Sequence, residues 1–509
     1  MRLLKLSCLM TAILAAGLVP AAIATSAELR ADSRESIVKV HVIELLPNYT
    51  TPWGPGATRE SGGSGFVISG NQILTTAHAV ADAKFMLVQK YGSPQRVPAR
   101  VLFISHEADL ALLTVDEKGF FDSLRPLDLG DTPELQEEVM VFGFSRGGET
   151  LSITRGVVSR VEHESYSHAN TWLLLGQIDS AITPGASGGP VLSGGKVVGV
   201  AMQIAESTSE MVPTPVIKQF LADVADGRLD GVPQTGFEWQ RLEATDLRRM
   251  CGLPPTETGG ILILKTLPES AAARTLRPLD VVLSIAGRAI GADGTIEFRS
   301  HERTGFYLLF QEKQLGEAVE LELWRGGKQL RVTLVLDRPL GAGRLVPGPV
   351  FGERPRYYAF GGLVFCPLTV DYLQAWGEGW PVRAPRHLVS LFPRWASVQG
   401  EEPVVLCNVL RGDINSGYEE NEESLVVKAD GHPLRNLAQL VDIIESKPTG
   451  LLVLEAQDGK QIVLDRERAG RDGPEILARY QVSSDRSEDL VGKTLASEKN
   501  IKLGFEKRP

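Results

Sequence analysis

The chain has 509 residues, and at roughly 150 residues per domain it is expected to fold as about three units. Apolar residues make up 43 % and charged residues 23 %, a soluble globular composition that excludes a largely disordered chain and a multispanning membrane protein. With 53 cationic against 63 acidic side chains the net charge is −10, which excludes nucleic acid as a main partner.

Residues 1–27 carry Arg2 and Lys5, no acids, and an apolar run from Leu6 to Ile23 broken by Pro20, with small residues around Ala24 and Ala27. That is the pattern of a secretory signal cleaved after one of those alanines, so an exported protein is expected, periplasmic if the source is bacterial, with no stable membrane span. Cys8 leaves with the signal. From Ser36 to about Phe220 short apolar runs alternate with Gly, Pro, Asn and Asp: Ile37–Leu45, Gly65–Ile68, Ile73–Thr76, Leu110–Val115, Val139–Phe144, Gly156–Val161, Val191–Leu192 and Val197–Gln203. Many short strands with turn signals predict a β-sandwich or barrel, closed by a helix from Thr214, with the unit spanning 28–230. A second unit, 235–339, ends in two alternating segments joined by Arg325-Gly326-Gly327-Lys328, a hairpin with one buried face. A third, 350–470, repeats the pattern: Asp280–Gly287 corresponds to Ser424–Gly431, and Gly327-Lys328-Gln329 to Gly459-Lys460-Gln461. This is a duplication, not a solenoid. Linkers are expected at 226–234 and 340–355, and a charged, peripheral tail at 471–509. Cys251, Cys366 and Cys407 are too few for a disulfide framework and are expected as small buried hydrophobes, although one pair could bridge. No CxxC pair or spaced histidine accompanies them, so neither a metal nor a cofactor is expected.

Three segments of the first unit occur in the order His, Asp, Ser: Thr75-Thr76-Ala77-His78-Ala79-Val80, Glu107-Ala108-Asp109-Leu110-Ala111-Leu112, and Thr183-Pro184-Gly185-Ala186-Ser187-Gly188-Gly189-Pro190. Cutting an amide needs a nucleophile, a base to take its proton, and a carboxylate to hold that base in the right tautomer; Ser187, His78 and Asp109 supply one of each. Glycines at 185, 188 and 189 let the backbone turn sharply and bring the N–H groups of Gly185 and Ser187 toward one point, an oxyanion hole. Asp109 opens a buried run, where an unpaired charge is costly, so a partner such as His78 is expected. His106 lacks the small-residue strand-end setting of His78 and is set aside. His163 and His168, in the polar stretch 161–170, are expected on an exposed loop.

In this order and setting the three segments resemble those of the trypsin-like serine proteases of the HtrA/Deg family, over about residues 36–470. Gly236-Phe237-Glu238-Trp239, Arg277–Val282, Tyr357–Phe365 and Gly417-Tyr418-Glu419-Glu420 resemble the Deg subgroup best represented in plants. The resemblance implies a mainly β protein: a trypsin-like double six-stranded β-barrel over 28–230, then two α+β PDZ-like domains, the second divergent. It implies ATP-independent endoproteolysis of unfolded or misfolded proteins by a homo-oligomer built from trimers. The family usually has Asn where this chain has Ala186; alanine anchors nothing, so the loop must be held by other contacts and is expected to be loosely ordered at rest. In the implied fold Ala181 and Ile182 line the base of the substrate pocket and Gln203 lies on a loop that shapes it. With no acid there, cleavage is expected after small or medium aliphatic residues. For the PDZ units the expected work is capture of an extended C-terminal peptide as an added strand, at Thr235-Gly236-Phe237 in the first copy. Its counterpart is Gly361-Gly362-Leu363 in the second copy, which is expected to be an assembly module with a blocked groove. Unfolded proteins and their C-terminal peptides are therefore the implied partners. The rival reading is a catalytically weak holdase or PDZ scaffold on the same fold.

Overall fold

The computed structural model describes residues 33–166, 168–205, 208–377 and 379–491. The expected leader with Cys8, and residues 492–509 of the expected tail, lie outside them. Six strands, β1 (Ile37–Leu46), β2 (Ala57–Ile68), β3 (Gln72–Thr75), β4 (Ala83–Lys90), β5 (Arg96–Ser105) and β6 (Leu110–Val115), close into a barrel in the order β1-β2-β3-β6-β5-β4. Alternation on β1 sends Val38, Val40 and Val42 inward against Val67, Ile73, Val88 and Leu113. A second closed barrel follows from β7 (Glu138–Phe144), β8 (Leu151–Tyr166), β9 (Thr171–Ile178), β10 (Pro190–Ser193), β11 (Lys196–Ala205) and β12 (Thr208–Pro213), in the order β10-β11-β12-β9-β8-β7. Ile37, Phe66, Leu74, Leu110 and Leu112 of the first barrel join the core of the second, so one apolar seam welds the two.

Strands β4, β5, β9 and β12 are absent from the sequence-based assignment. Strands β4 and β5 bury few side chains and carry Lys84, Lys90, Arg96, Arg100 and Pro98; their place is set by pairing, with Val88 opposite both Val40 and Val97. Strand β12 closes the second barrel where Gly176 and Gly199 leave room for the Met211 side chain. The helix Thr214–Asp223 starts as expected, with Pro215 in its first turn, and buries Val216, Ile217 and Phe220.

The second unit is a sheet of Phe237–Arg241, Ile261–Thr266, Val281–Ile285, Ala318–Arg325 and Lys328–Val335, in that spatial order. The expected hairpin is present, with Arg325 opposite Lys328 and both turn glycines at positive φ. The third unit repeats this plan with Leu363–Pro367, Val404–Val409, Ser424–Ala429, Leu451–Ala456 and Gln461–Asp465, and adds an outer strand, Tyr358–Phe360.

The boundary expected at 470/471 falls inside a helix, Arg466–Arg479. This helix is amphipathic and buries Ile476; beyond it Val482 and Leu490 are buried too. Arg466 is buried and donates to Asp430 Oδ2 at 2.7 Å and to the Ile444 carbonyl. The packed part of the third unit therefore includes Leu490, and the charged composition there reflects ion pairs rather than fraying. The linker 340–355 is also packed, with Leu345 and Val346 in the third unit's core. Cys366 and Cys407 are buried free thiols whose Sγ atoms lie 2.7 Å apart on neighbouring strands.

Candidate active site

Strand β3 pairs with β6, Thr75 opposite Ala111, so residues just beyond the end of one and just before the start of the other meet. His78 and Asp109 occupy those places. The His78 main-chain N–H donates to Asp109 Oδ1 at 2.9 Å, and its ring Nδ1 lies 3.0 Å from Oδ1 and 2.8 Å from Oδ2. Asp109 is fully buried and has φ +51. Burial pushes its carboxyl up, but the charge and hydrogen bonds of His78 outweigh that and hold it below the usual carboxylate range. Burial lowers the His78 imidazole, and the Asp109 charge and hydrogen bond more than reverse this, so its pKa lies above the usual histidine value. A base must be neutral, so hydrolysis is expected to rise with pH with a midpoint above about 6.5. A kcat/KM flat from pH 5 to 9 would count against His78 as the base.

Ser187 sits in the loop before β10. Two bonds from Ser64 of β2, itself anchored on β7, and one from the loop after β7 tie this loop down. The Ser64 N–H donates to the Ser187 carbonyl at 2.8 Å, Ser64 Oγ donates to the Gly185 carbonyl at 2.9 Å and accepts the Phe144 N–H at 2.8 Å, and the Arg146 N–H donates to the Pro184 carbonyl at 2.6 Å. The loop expected to be loose at Ala186 has contacts from the Ser64 main chain and hydroxyl and from the Arg146 N–H, and Ala186 packs on Gly143, where an added Cβ would lie 2.7 Å from it. Gly188 has φ +87, and a side chain there would collide with the Ser64 carbonyl. Within the loop the N–H groups of Ala186, Gly188 and Gly189 are bonded to the carbonyls of Thr183, Ala201 and Ala186. Among the described residues those of Gly185 and Ser187 have no partner. Ser187 is buried, at 8 % exposure, and makes no hydrogen bond to His78 among the described residues. An added Cβ on Gly63 would lie 2.9 Å from the Ser187 carbonyl and 3.1 Å from the Ala79 side chain, so the serine backbone and the histidine segment flank one glycine. No group of three metal-binding side chains occurs among the described residues.

Sequence reading missed Ser64, which no local motif marks. Ser64→Ala leaves the buried Phe144 N–H and the part-buried Gly185 carbonyl without this partner, worth about 1–3 kcal/mol. If that falls on the active loop geometry, kcat drops by roughly one to two orders of magnitude. Stopped assays on the folded variant read this directly, and an unchanged kcat would show the loop to be held elsewhere.

A trypsin-like peptidase pattern matches residues 63–200 and a PDZ-domain pattern matches residues 346–489. The chain is 39 % identical to Protease Do-like 4, mitochondrial, of Arabidopsis thaliana, over 88 % of this chain and 84 % of that protein. It is 36 % identical to Protease Do-like 2, chloroplastic, of the same plant, over 90 % of this chain and 75 % of the relative. It belongs to the HtrA/Deg family of Do-like proteases. A solved HtrA-type protease with a decapeptide shares the fold, with a TM-score of 0.50 and 21 % identity over 62 % of this chain and 98 % of that one. This Deg chain is accordingly a serine endopeptidase.

The other sequence-flagged residues of this Deg protease fall differently. Ile182 is buried in the core of the second barrel, whereas Ala181 is exposed and its carbonyl accepts from Thr154 Oγ1 at 2.9 Å. The two do not form one floor. Gln203 lies on β11 opposite Ser209, and its side chain is outside what is described. His163 is not on an exposed loop: it lies on the long strand β8 and binds the second unit, Nε2 2.7 Å from Gln311 Oε1 and Nδ1 3.3 Å from Thr304 Oγ1. Burial pushes its pKa down to about 4. His168 and the set-aside His106 meet beside the site, Nε2 to Nδ1 at 3.0 Å, and burial takes them to about 3 and 4. The polar stretch misled because its partners lie on other units, which composition does not reveal.

In the second unit Phe237–Arg241 is an edge strand. Thr235 Oγ1 donates to the Phe237 carbonyl at 3.2 Å, Gly236 has φ +70, and Phe237 is buried on Phe306 and Phe310. A cavity of about 430 Å³ faces this edge, lined by Thr235, Phe237, Tyr307, Phe310, Trp172 and Arg344. In the third unit, which the PDZ-domain pattern matches, the corresponding strand, Leu363–Pro367, already pairs with Tyr358–Phe360, whose far side bonds 485–486, with the Ala359 N–H 2.6 Å from the Asp485 carbonyl. The chain covers its own edge there.

Proposed function

We propose that this Deg protease degrades unfolded proteins without ATP by an acyl-enzyme route. Ser187 Oγ attacks the peptide carbonyl while His78 Nε2 takes its proton, and Asp109 holds the imidazolium at Nδ1. The oxyanion accepts from the N–H groups of Gly185 and Ser187, His78 protonates the leaving amine, and water then releases the acyl group by the same relay. The observation that carries this reading is the serine loop, in which, among the described residues, the N–H groups of Gly185 and Ser187 make no hydrogen bond beside the His78–Asp109 pair. Ala181, the exposed one of the two residues, offers no charge to a basic side chain, so a small aliphatic residue before the cut suits this reading. The open edge at Phe237 takes the C-terminal peptides of substrates, while the covered second copy serves assembly of a trimer-based oligomer. The relatives named above are mitochondrial and chloroplastic; the leader of this chain, apolar and short rather than Arg-rich, supports export, to the periplasm if the source is bacterial.

The test is digestion of unfolded casein in ATP-free buffer by wild type and by Ser187→Ala. Degradation by the first alone is expected. A nucleotide requirement would overturn the ATP-independent part; intact casein together with suppressed aggregation would favour the holdase.

A further inference from the structure

The linker to the third unit crosses the protease site. Lys84 Nζ donates to the Gly352 carbonyl at 2.8 Å, and the Gly352 N–H donates to Asp82 Oδ1 at 2.8 Å, so the turn that follows His78 and the start of β4 grip the linker. Two residues earlier the Val350 N–H donates to Asp371 Oδ2 at 2.9 Å, which ties the same segment to a helix of the third unit, Val370–Gln374. Between these two grips Phe351 lies in a slot whose one wall is the joined rings of His106 and His168, 5.2 Å apart between centroids. It stacks on His106 at 4.0 Å between centroids and 28°, and on His168 at 4.2 Å and 15°. His168 in turn lies edge-on to His78 at 6.2 Å. An aromatic side chain therefore sits one ring away from the base of the reaction.

The slot suits such a guest. His106 and His168 are joined through Nδ1 and Nε2, which fixes both rings, and burial keeps them neutral at physiological pH, so they present flat uncharged faces. A cavity of about 210 Å³, lined among others by His106, Asn170, Arg344, Pro349 and Phe351, continues from it. A polypeptide must lie extended past His78 for its carbonyl to reach Ser187, and a side chain upstream of the scissile bond then passes this wall.

We propose that the His106–His168 slot is a subsite for an aromatic substrate side chain upstream of the cut, and that Phe351 fills it at rest as a built-in competitor. The proposal rests on the reading of Ser187, His78 and Asp109 as catalytic. Because the linker is held at one end by the protease and at the other by the third unit, displacement of that unit withdraws Phe351, and an aromatic substrate displaces it directly. A ligand on the third unit changes the rate only to the extent that it binds the withdrawn form better.

The experiment compares full-length wild type, Phe351→Ala, and the double variant Asp82→Asn, Lys84→Met, which loosens the grip without touching the slot. Two N-acylated chromogenic tetrapeptides are used, identical except for Phe or Ala two residues before the cleaved one. Active sites are counted by titration with an organophosphonate, and circular dichroism checks folding. Expected is a rise of about tenfold in kcat/KM for the Phe peptide in Phe351→Ala, equivalent to about 1.4 kcal/mol of lost competition, and a rise in the same direction in the double variant. The rise should be smaller for the Ala peptide. Adding His168→Ala to Phe351→Ala should erase the preference for Phe over Ala. Equal kcat/KM in all fully titrated proteins would overturn the competitor role, and a preference for Phe that survives His168→Ala would overturn the subsite. Where Phe351→Ala fails to fold, the double variant decides. No labelling by the phosphonate in any protein would overturn the catalytic reading itself, and the slot with it.

Discussion

Ser187→Ala is expected to lower peptide cleavage by up to roughly a millionfold while the protein stays folded. The size of the fall follows from the way nucleophile and base act as a unit: with no Oγ, His78 has no proton to take, and only oxyanion binding and positioning remain. Folding should survive because the loop is held by main-chain groups, the Ser187 carbonyl on Ser64 and the Gly188 N–H on Ala201, which alanine keeps. Ser187 Oγ itself makes no hydrogen bond among the described residues, so its removal orphans no partner. Single-turnover assays with a chromogenic peptide, alongside phosphonate titration of wild type, measure the effect. Cleavage within tenfold of wild type by the purified variant would remove Ser187 from the mechanism.

Asp109→Asn is expected to cost on the order of 10⁴ in kcat, and the geometry shows why. Oδ1 accepts the His78 main-chain N–H, so an asparagine that keeps this bond must turn its NH2 group toward ring Nδ1. That group donates, Nδ1 must then accept, and the ring proton moves to Nε2, the atom that has to receive the serine proton. The acid limb of the pH profile should also shift to lower pH, because the carboxylate that raises the His78 pKa is gone. A variant with full activity, or with an unmoved acid limb, would show that Asp109 does not set the state of His78.

Strands whose alternation or apolar runs announce a buried face, such as β1, β6 and β7, were legible in the chain, and so was the repeat of one strand plan in the second and third units, because each depends on residues a few positions apart. Strands β4 and β12 were not, since they are held by barrel closure and not by their own composition. The stretch after Asp472 looked peripheral because it is charged; in the folded chain Arg486 pairs with Glu445 and Asp485, and Ile476 carries the apolar face.

By itself the sequence determined the candidate chemistry, in that histidine, aspartate and serine each sit in a short segment whose local character, small residues, a buried run or a glycine turn, suits its role. It also determined the hairpin at Gly326-Gly327. Only the tertiary structure decided what holds and what crowds that chemistry. Ser64 reaches Gly185 across 121 residues of chain and His106 reaches His168 across 62, while Phe351 arrives from a linker between two other units. Contacts of that kind leave no periodicity, since they are made when two closed barrels and the docked third unit bring separate segments into register, and their energies belong to the packed interface and not to any one stretch of residues.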